Sequence, residues 1–489
     1  MSIHFPTFAQ NFIICMRRLL FFLLLGACLP LSATRQSAAQ KDSLAASADS
    51  AVVAPDTLKA DSLPSEESLL PDSTKGKGVS ADSLWAMSDR SLFVLPDSLP
   101  REGFPRVSLL TCSPAAEVWQ QYGHTALRYE DPLSNIDIVF NYGLFSFGAP
   151  HFIWRFCTGK TDYLLGAEEF PSFEQEYMER GSSIEKQVLN MSPSEVARFW
   201  ALITENCRPA NRVYRYNFLY KNCSTMARDI ALQSIDGRII PPADDSLTLR
   251  EVMHEFNSSY PWASFGIDLL LGYEVDRRVG NEQLEFAPEY VMRHWARSAR
   301  TFMPDSLSQD SLLGGETIQP WVKAYTEILP ETPMRKSSRF PLTPMQMMIL
   351  VLLLTAIIGT LELLTDRVQW WYDVFLYGIQ GIAGIIISFL FFFSAHPAVG
   401  TNMLVFLFNP IVLILLPIIV IRSIKHKPIH KICWIELALI AAVVIAVIVT
   451  KQSVPAALWV FVGALLLRTL HHLVLRSLIY ERMSRKKKK

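Results

Sequence analysis

Two short segments carry side chains able to do covalent chemistry: Gly123-His124-Thr125 and, 99 residues on, Asn222-Cys223-Ser224-Thr225. A thiolate beside an imidazole is an acyl-transfer nucleophile. Cys223 follows the polar pair Lys221-Asn222 and precedes Ser224, Thr225, Met226, Ala227 and Arg228, which suit a first helical turn. A helix N-terminus favours the thiolate. Against this stands the usual fate of a lone cysteine, a buried structural position. Cys112, Cys157 and Cys207 have no helix start beside them and read that way; one disulfide among the three would suit an oxidising compartment. His124 follows a glycine and begins a strand-like run, a rigid mount for a general base. A half-buried strand histidine is an equally weighted reading, and His151, in a loop after Gly148-Ala149-Pro150, ranks below it as a base.

The imidazole needs an orienting partner. His124 to Tyr129 and Ile136 to Tyr142 read as strands joined by the turn-rich Glu130 to Asn135, a β-hairpin. Its turn centres near residue 133 and brings residues near 141 and 142 opposite His124. Asn141 is the preferred orienter, with Asp137 and Tyr142 as alternatives, because a one-residue slip exchanges the faces. Asn222 or Asn217 is a candidate oxyanion donor. No cysteine or histidine cluster has zinc spacing, so neither a metal nor a cofactor is expected.

Around these residues, 103–300 reads as a mixed α and β domain. Val107 to Thr111 is a strand, Pro193 to Glu205 a helix capped by Ser192, Val213 to Phe218 extended, and Asn222 to Leu232 a helix. Arg17-Arg18 followed by Leu19 to Leu25 gives residues 1–33 the form of a signal peptide or N-terminal anchor. Leu31-Ser32-Ala33 suits ordinary cleavage, and Leu25-Gly26-Ala27-Cys28 resembles a lipobox. Residues 34–102, rich in Ser, Asp and Pro and repeating Asp-Ser-Leu, read as a disordered tether, and 301–340 as a second linker.

Half of the 489 residues are hydrophobic and 19% are charged, with zero formal net charge, which gives no reason to expect a nucleic-acid partner. Five apolar stretches, 346–364, 374–395, 402–421, 432–450 and 454–476, fill 341–480, each long enough to span hydrocarbon. Arg367, then Arg422, Lys425, Lys427 and Lys431, then the basic tail 481–489 fall on one side. Only Lys451 falls on the other. The positive-inside rule therefore places the middle domain outside. His396, Asn402 and Asn409 lie in or beside an outer loop and are candidate lipid-binding groups, with helix capping as the plain alternative. Arg228 could hold a lipid head group or pair with Asp229.

Several segments resemble the Lnb family of bacterial lipoprotein N-acyltransferases: Gly123-His124-Thr125-Ala126-Leu127-Arg128, Phe140-Asn141-Tyr142-Gly143, Phe156-Cys157-Thr158-Gly159-Lys160, and Tyr216-Asn217-Phe218 with Asn222-Cys223-Ser224-Thr225. So do Phe265-Gly266-Ile267-Asp268, Leu271-Gly272, His396-Pro397 and Asn409-Pro410, so the resemblance covers most of 104–480. It implies a circularly permuted papain-like domain, akin to the lecithin–retinol acyltransferase-like proteins, followed by an all-α membrane domain of five helices. It also implies His124 and Cys223 as the catalytic pair. The expected activity is N-acylation of the diacylglyceryl-cysteine of lipoproteins through a Cys223 thioester, on the periplasmic face of the bacterial inner membrane. The expected partners are a phospholipid or diacylglyceryl lipoprotein as donor, a lipoprotein N-terminus as acceptor, and the bilayer. Two other readings are a periplasmic papain-like peptidase or amidase, and a non-catalytic membrane sensor or scaffold.

Overall fold

The computed structural model describes residues 103–488 except 116, 118, 119, 303–316 and 333–339. The expected signal segment and tether lie outside the described residues. The chain divides into two compact units, one of residues up to Val252 together with Arg278–Ser337, the other of Met253–Arg277 together with Ser338 onward.

The first unit is built on a seven-stranded antiparallel sheet, β1 (Arg106–Cys112), β2 (His124–Asp131), β3 (Ile136–Leu144), β4 (Asp162–Glu169), β5 (Ile184–Leu189), β6 (Val213–Arg215) and β10 (Val322–Leu329). The strand order is β10-β5-β1-β2-β3-β4-β6. A small sheet joins β7 (Ile239–Ile240), β8 (Ala299–Phe302) and β9 (Thr317–Pro320). The expected hairpin is β2–β3. Asp131 Oδ1 accepts from the Leu133 and Ser134 amides and Asn135 turns left-handed, an Asx-type reversal.

Alternation along the strands loads both faces of the large sheet. Val107, Leu109, Leu127, Tyr129, Phe140, Tyr142 and Leu165 point toward α3 (Pro193–Asn206), α4 (Cys223–Gln233) and α5 (Pro288–Arg297), meeting Phe199, Ile203, Ile230 and Trp295. Each such fully buried apolar side chain contributes about 1.5–3 kcal/mol. Leu110, Cys112, Ala126 and Val139 point the other way, onto Phe173 and Tyr177 of α2 (Phe170–Arg180). Helix α3 begins at a capping box between Ser192 and Glu195, and Glu195 also holds the fully buried Arg300 of β8. The short α1 (Phe152–Cys157) follows the aromatic segment after β3.

Two domain boundaries are corrected. The expected linker 301–340 supplies β9 and β10, and β10 pairs with β5 as the edge of the large sheet. Its sequence, Val322 to Leu329, mixes polar and apolar residues because an edge strand with mostly exposed side chains needs no apolar face. Conversely, 253–277 belongs to the second unit. Within it the helix Pro261–Leu270 packs Phe265 and Leu269 into the same apolar cluster as the C-terminal helices.

Those helices are α6 (Pro344–Thr365), α7 (Trp370–Phe393), α8 (Ile411–Ile424), α9 (His430–Thr450), α10 (Ala456–Leu470) and α11 (Arg476–Lys488), with a π turn His471–Leu475 joining the last two into one rod. Four are long and apolar enough to cross a membrane: Pro344–Thr365, Trp370–Phe393, His430–Thr450 and Ala456–Arg485. The third expected stretch, 402–421, is not one helix. A 3-10 turn at Met403–Val405 and the Asn409-Pro410 break leave α8 with 14 residues, about 21 Å of rise. The irregular backbone before it is covered, as lipid requires. Gln380 Nε2 donates to the Leu407 carbonyl, and Gly384 lets α7 press on the Asn409 backbone, where a Cβ would sit 2.7 Å from its atoms.

One cluster in this unit had no counterpart in the sequence reading. Glu362 of α6 accepts from Arg468 (3.0 Å) and Arg476 (3.2 Å) and lies 2.6 Å from His471. Asp373 of α7 accepts from Arg468 (2.6 Å) and Arg476 (2.9 Å) and lies 3.0 Å from His472. All six side chains are buried, and Arg476 also donates to Ser423 of α8. Two carboxylates against two guanidiniums make the cluster neutral when both imidazoles are neutral, which is how charge survives burial.

Candidate active site

Cys223 is the first residue of α4. Asn222 caps that helix: its Oδ1 accepts from the Ser224 and Thr225 amides, and Thr225 Oγ1 accepts from the Asn222 amide. Its Nδ2 donates to the Phe218 and Phe286 carbonyls. The Asn222 side chain is thus spent on capping, and no donor remains to face an oxyanion. Asn217 Oδ1 turns the chain by accepting from the Leu219 and Tyr220 amides.

His124 opens β2, and it and Cys223 are each the chief charge acting on the other. Its Nε2 lies 2.5 Å from Asn141 Oδ1. The amide oxygen can only accept, so Nε2 carries its hydrogen toward Asn141. Extending the β2–β3 register from Leu127 opposite Phe140 puts His124 opposite Gly143 and Asn141 opposite Ala126. That is one residue from the expected register, yet Asn141 and His124 still share a face because His124 and Ala126 are two apart. Asp137 is opposite Glu130, six residues up the strand and about 20 Å from His124 along it. It forms a two-pronged ion pair with Arg128. Tyr142 points to the opposite face, where its hydroxyl accepts from Asn206.

Further groups complete the arrangement. Asn141 Nδ2 donates to Glu168 Oε1 at 3.5 Å, so β4 backs the amide that backs the imidazole. Tyr177 stacks on the His124 ring with centroids 6.3 Å apart. Thr125 and Ser224 hydroxyls meet at 3.0 Å, pinning α4 to β2. Gly143 has φ 103°, and a Cβ there would sit 3.7 Å from Cys223 Cβ and 3.9 Å from His124 Cε1. Those are ordinary contact distances, so it is the positive φ rather than crowding that calls for glycine here. Neither Glu168 nor Gly143 was singled out from the sequence. The hairpin register was the available signal for Gly143, whereas Glu168 comes from a later strand.

The electrostatics follow from this geometry. Burial alone pushes the Cys223 thiol up, but the adjacent His124, the Thr125 amide and the Ser224 hydroxyl outweigh it and hold the thiol below its usual value. Burial pushes His124 down, and the Cys223 charge and the bonds to Cys223 and Asn141 outweigh it, so the imidazole is raised. Each group shifts toward its charged form, a thiolate–imidazolium pair. The other cysteines of the domain move the opposite way through burial: Cys112 well above the usual value, Cys157 to about 11 and Cys207 to about 12. All three are free thiols, so the disulfide that the sequence left possible among them is not formed in the structure. Cys223 is part-exposed, whereas they are buried.

Tyr214 adds one more polar group. Its hydroxyl is buried and has no hydrogen-bond partner among the described residues. Burial and then the Cys223 charge raise it well above the ordinary tyrosine value. His151 is exposed in a left-handed conformation before α1.

Arg228 is buried in ion pairs with Asp229 and Glu285 and donates to the Glu282 carbonyl. Within the second unit, Asn402 donates to the Leu269 carbonyl and accepts from the Leu404 amide and Gln452. Asn409 caps α8 by accepting from the Ile411 amide. His396 is buried just beyond α7. The structure therefore gathers His124, Asn141 and Cys223 into one cluster. Arg228, Asn402 and Asn409 are engaged in capping and pairing instead.

Two family models match in tandem: the Lnb N-terminal periplasmic domain over residues 105–253 and the Lnb transmembrane domain over 335–478. No curated protein and no solved structure matched the chain. The sheet domain that holds Cys223, and the apolar helices that follow it, are the two halves of an Lnb-type membrane protein, and the chain belongs to that family.

Proposed function

We propose that the protein is an inner-membrane acyltransferase that N-acylates the N-terminal diacylglyceryl-cysteine of lipoproteins, with Cys223 as nucleophile. The observation that carries this reading is the Cys223–His124 pair, each shifted toward its charged form, in a periplasmic domain on a chain with membrane-crossing helices. Strand histidine first and helix-opening cysteine second is also the order of a permuted papain-like domain.

The Cys223 thiolate attacks the carbonyl carbon of an acyl ester in a phospholipid or a diacylglyceryl lipoprotein. The collapsing intermediate expels the alkoxide, which takes the imidazolium proton from His124, leaving a Cys223 thioester and a free alcohol. The α-amine of a lipoprotein cysteine then attacks the thioester. His124 accepts the amine's proton, the amide forms, and the thiolate is restored. Asn141 holds the ring so that its other nitrogen faces the thiol, acting as a positioning residue. The unpartnered Tyr214 hydroxyl supports a role as the oxyanion donor, in place of Asn222. A bilayer-anchored enzyme gains because donor and acceptor are confined to the same surface.

The test is mass spectrometry of lipoprotein N-termini from cells carrying wild-type or Cys223→Ala protein at equal membrane levels. Loss of the N-acyl group in the variant is expected. Unchanged N-acylation would end the reading.

A further inference from the structure

Beside the thiol lies a connected set of aromatic rings that the proposed chemistry does not use. Phe145 meets Phe147, Phe152 and Tyr163 at centroid distances of 4.9, 5.4 and 4.8 Å. Tyr163 stacks on Tyr216 at 3.9 Å. The set begins near the thiol: Phe145 follows by two residues Gly143, whose Cβ position lies 3.7 Å from Cys223 Cβ, and the Cys223 charge is among the causes, after burial, that raise Tyr163 and Tyr216. The outer end is in water. Phe147 is 48% exposed, Ile153 44% and Trp154 60%, all within eight residues. Other exposed large apolar side chains of this unit, such as Leu133 and Ile318, lie far apart in sequence.

The charges around this patch are one-sided. Between Phe145 and Asp162 and between Val213 and Lys221 the chain carries Arg155, Lys160, Arg215 and Lys221 against a single carboxylate, Asp162. Asp162 is buried and already shared by Arg155 and Arg215, each at 2.6 Å. Lys160 and Lys221 are exposed. An apolar tip bearing a tryptophan, rimmed by cations, is the composition that settles at the boundary of an anionic bilayer. The same chain carries membrane helices, so a bilayer is always within reach of this domain.

We propose that Phe147, Ile153 and Trp154 form a docking tip that inserts into the head-group boundary of an anionic phospholipid membrane, and that the aromatic set behind it leads lipid acyl chains to Cys223. Insertion is independent of which bond Cys223 breaks. Only the delivery of acyl chains rests on the acyl-transfer reading.

The experiment uses the full chain with Cys223→Ser, reconstituted in vesicles containing phosphatidylglycerol and a lipid carrying a nitroxide quencher. An environment-sensitive fluorophore is placed through Trp154→Cys or, as a control, through Gln175→Cys on the exposed side of α2. Quenching several-fold greater at 154 than at 175 is expected, and it should fall when Lys160→Glu and Lys221→Glu are added. Equal quenching at the two positions, or none at 154, overturns the docking surface. Quenching indifferent to the two charge reversals overturns the anionic-lipid assignment. A second arm takes Trp154→Asp in the otherwise native chain. Loss of acyl transfer from a bilayer-resident ester, with an unchanged rate of Cys223 alkylation by iodoacetamide, is expected. Unimpaired transfer overturns acyl delivery, and if alkylation also falls the variant is misfolded and the quenching pair decides.

Discussion

Replacing Asn141 by Leu removes the acceptor on His124 Nε2 while keeping size and burial close to the original. The bond is 2.5 Å long, and Asn141 is 7% exposed, so water cannot substitute for it readily. A hydrogen bond to a charged group in such a place is worth about 2 kcal/mol. At 1.36 kcal/mol per factor of ten, that favours the thiolate–imidazolium pair over the neutral pair roughly thirty-fold. Without it His124 moves down, its charge beside Cys223 is lost, and the thiol moves up. The sign is therefore fixed: the thiolate, present below the usual thiol range in the wild type, should need higher pH in Asn141→Leu. In the pH range where the pair as a whole carries one proton, the variant should hold up to roughly thirty-fold less thiolate. The assay is the pH dependence of iodoacetamide alkylation of the full chain in detergent, with the modified peptide read by mass spectrometry so that only Cys223 is counted. Asn141→Asp keeps an acceptor and should leave the inflection at or below its wild-type position. An inflection unmoved in Asn141→Leu would refute the claim that this amide holds the ion pair.

Three further outcomes follow from the geometry. Gly143→Val must adopt φ 103° and push a branched side chain between Cys223 and His124, so alkylation at neutral pH should fall at least tenfold, with about 1–2 kcal/mol lost in thermal unfolding from the left-handed backbone. Tyr214→Phe removes only the unpartnered hydroxyl, so the turnover rate for acyl transfer should drop by about 10²-fold or more while Cys223 alkylation stays near wild type; equal alkylation and equal transfer would exclude the oxyanion role. Arg468→Met leaves Glu362 and Asp373 short of a buried partner and should cost about 3–5 kcal/mol, read as a lower unfolding temperature of the detergent-solubilised chain.

The site was more legible than the frame around it. Asn222 before Cys223 announces a helix start through capping chemistry that is local to four residues. The β2–β3 hairpin was legible for a similar reason, since Asp131 and Asn135 dictate a reversal between two apolar runs. Asn141 followed from that turn even with the register off by one, because side chains two apart share a face. Glu168 was not legible: it reaches Asn141 from β4, across a long-range strand pairing that no local pattern encodes. The same holds for β10, whose mostly exposed residues carry no apolar alternation. In the membrane part, hydropathy found the long helices. It averaged over the Asn409-Pro410 break, and it could not show that Glu362, Asp373, Arg468 and Arg476 neutralise one another across three segments of chain.

The excursion 253–277 limits how this protein can be taken apart. A secreted, water-soluble fragment that keeps β1 to β10 must run from before Arg106 to Leu329, and it therefore carries Pro261–Leu270 with it. Freed of the C-terminal helices, that segment offers Trp262, Phe265 and Leu269 to water instead of to their apolar cluster. Ending the fragment at residue 300 is no remedy, because it strips β10 from β5 and leaves a bare strand edge open to pairing with other copies. Preparations of the thiol domain alone should therefore clump unless the excursion is replaced by a short polar bridge, and the natural unit of expression is the anchored chain.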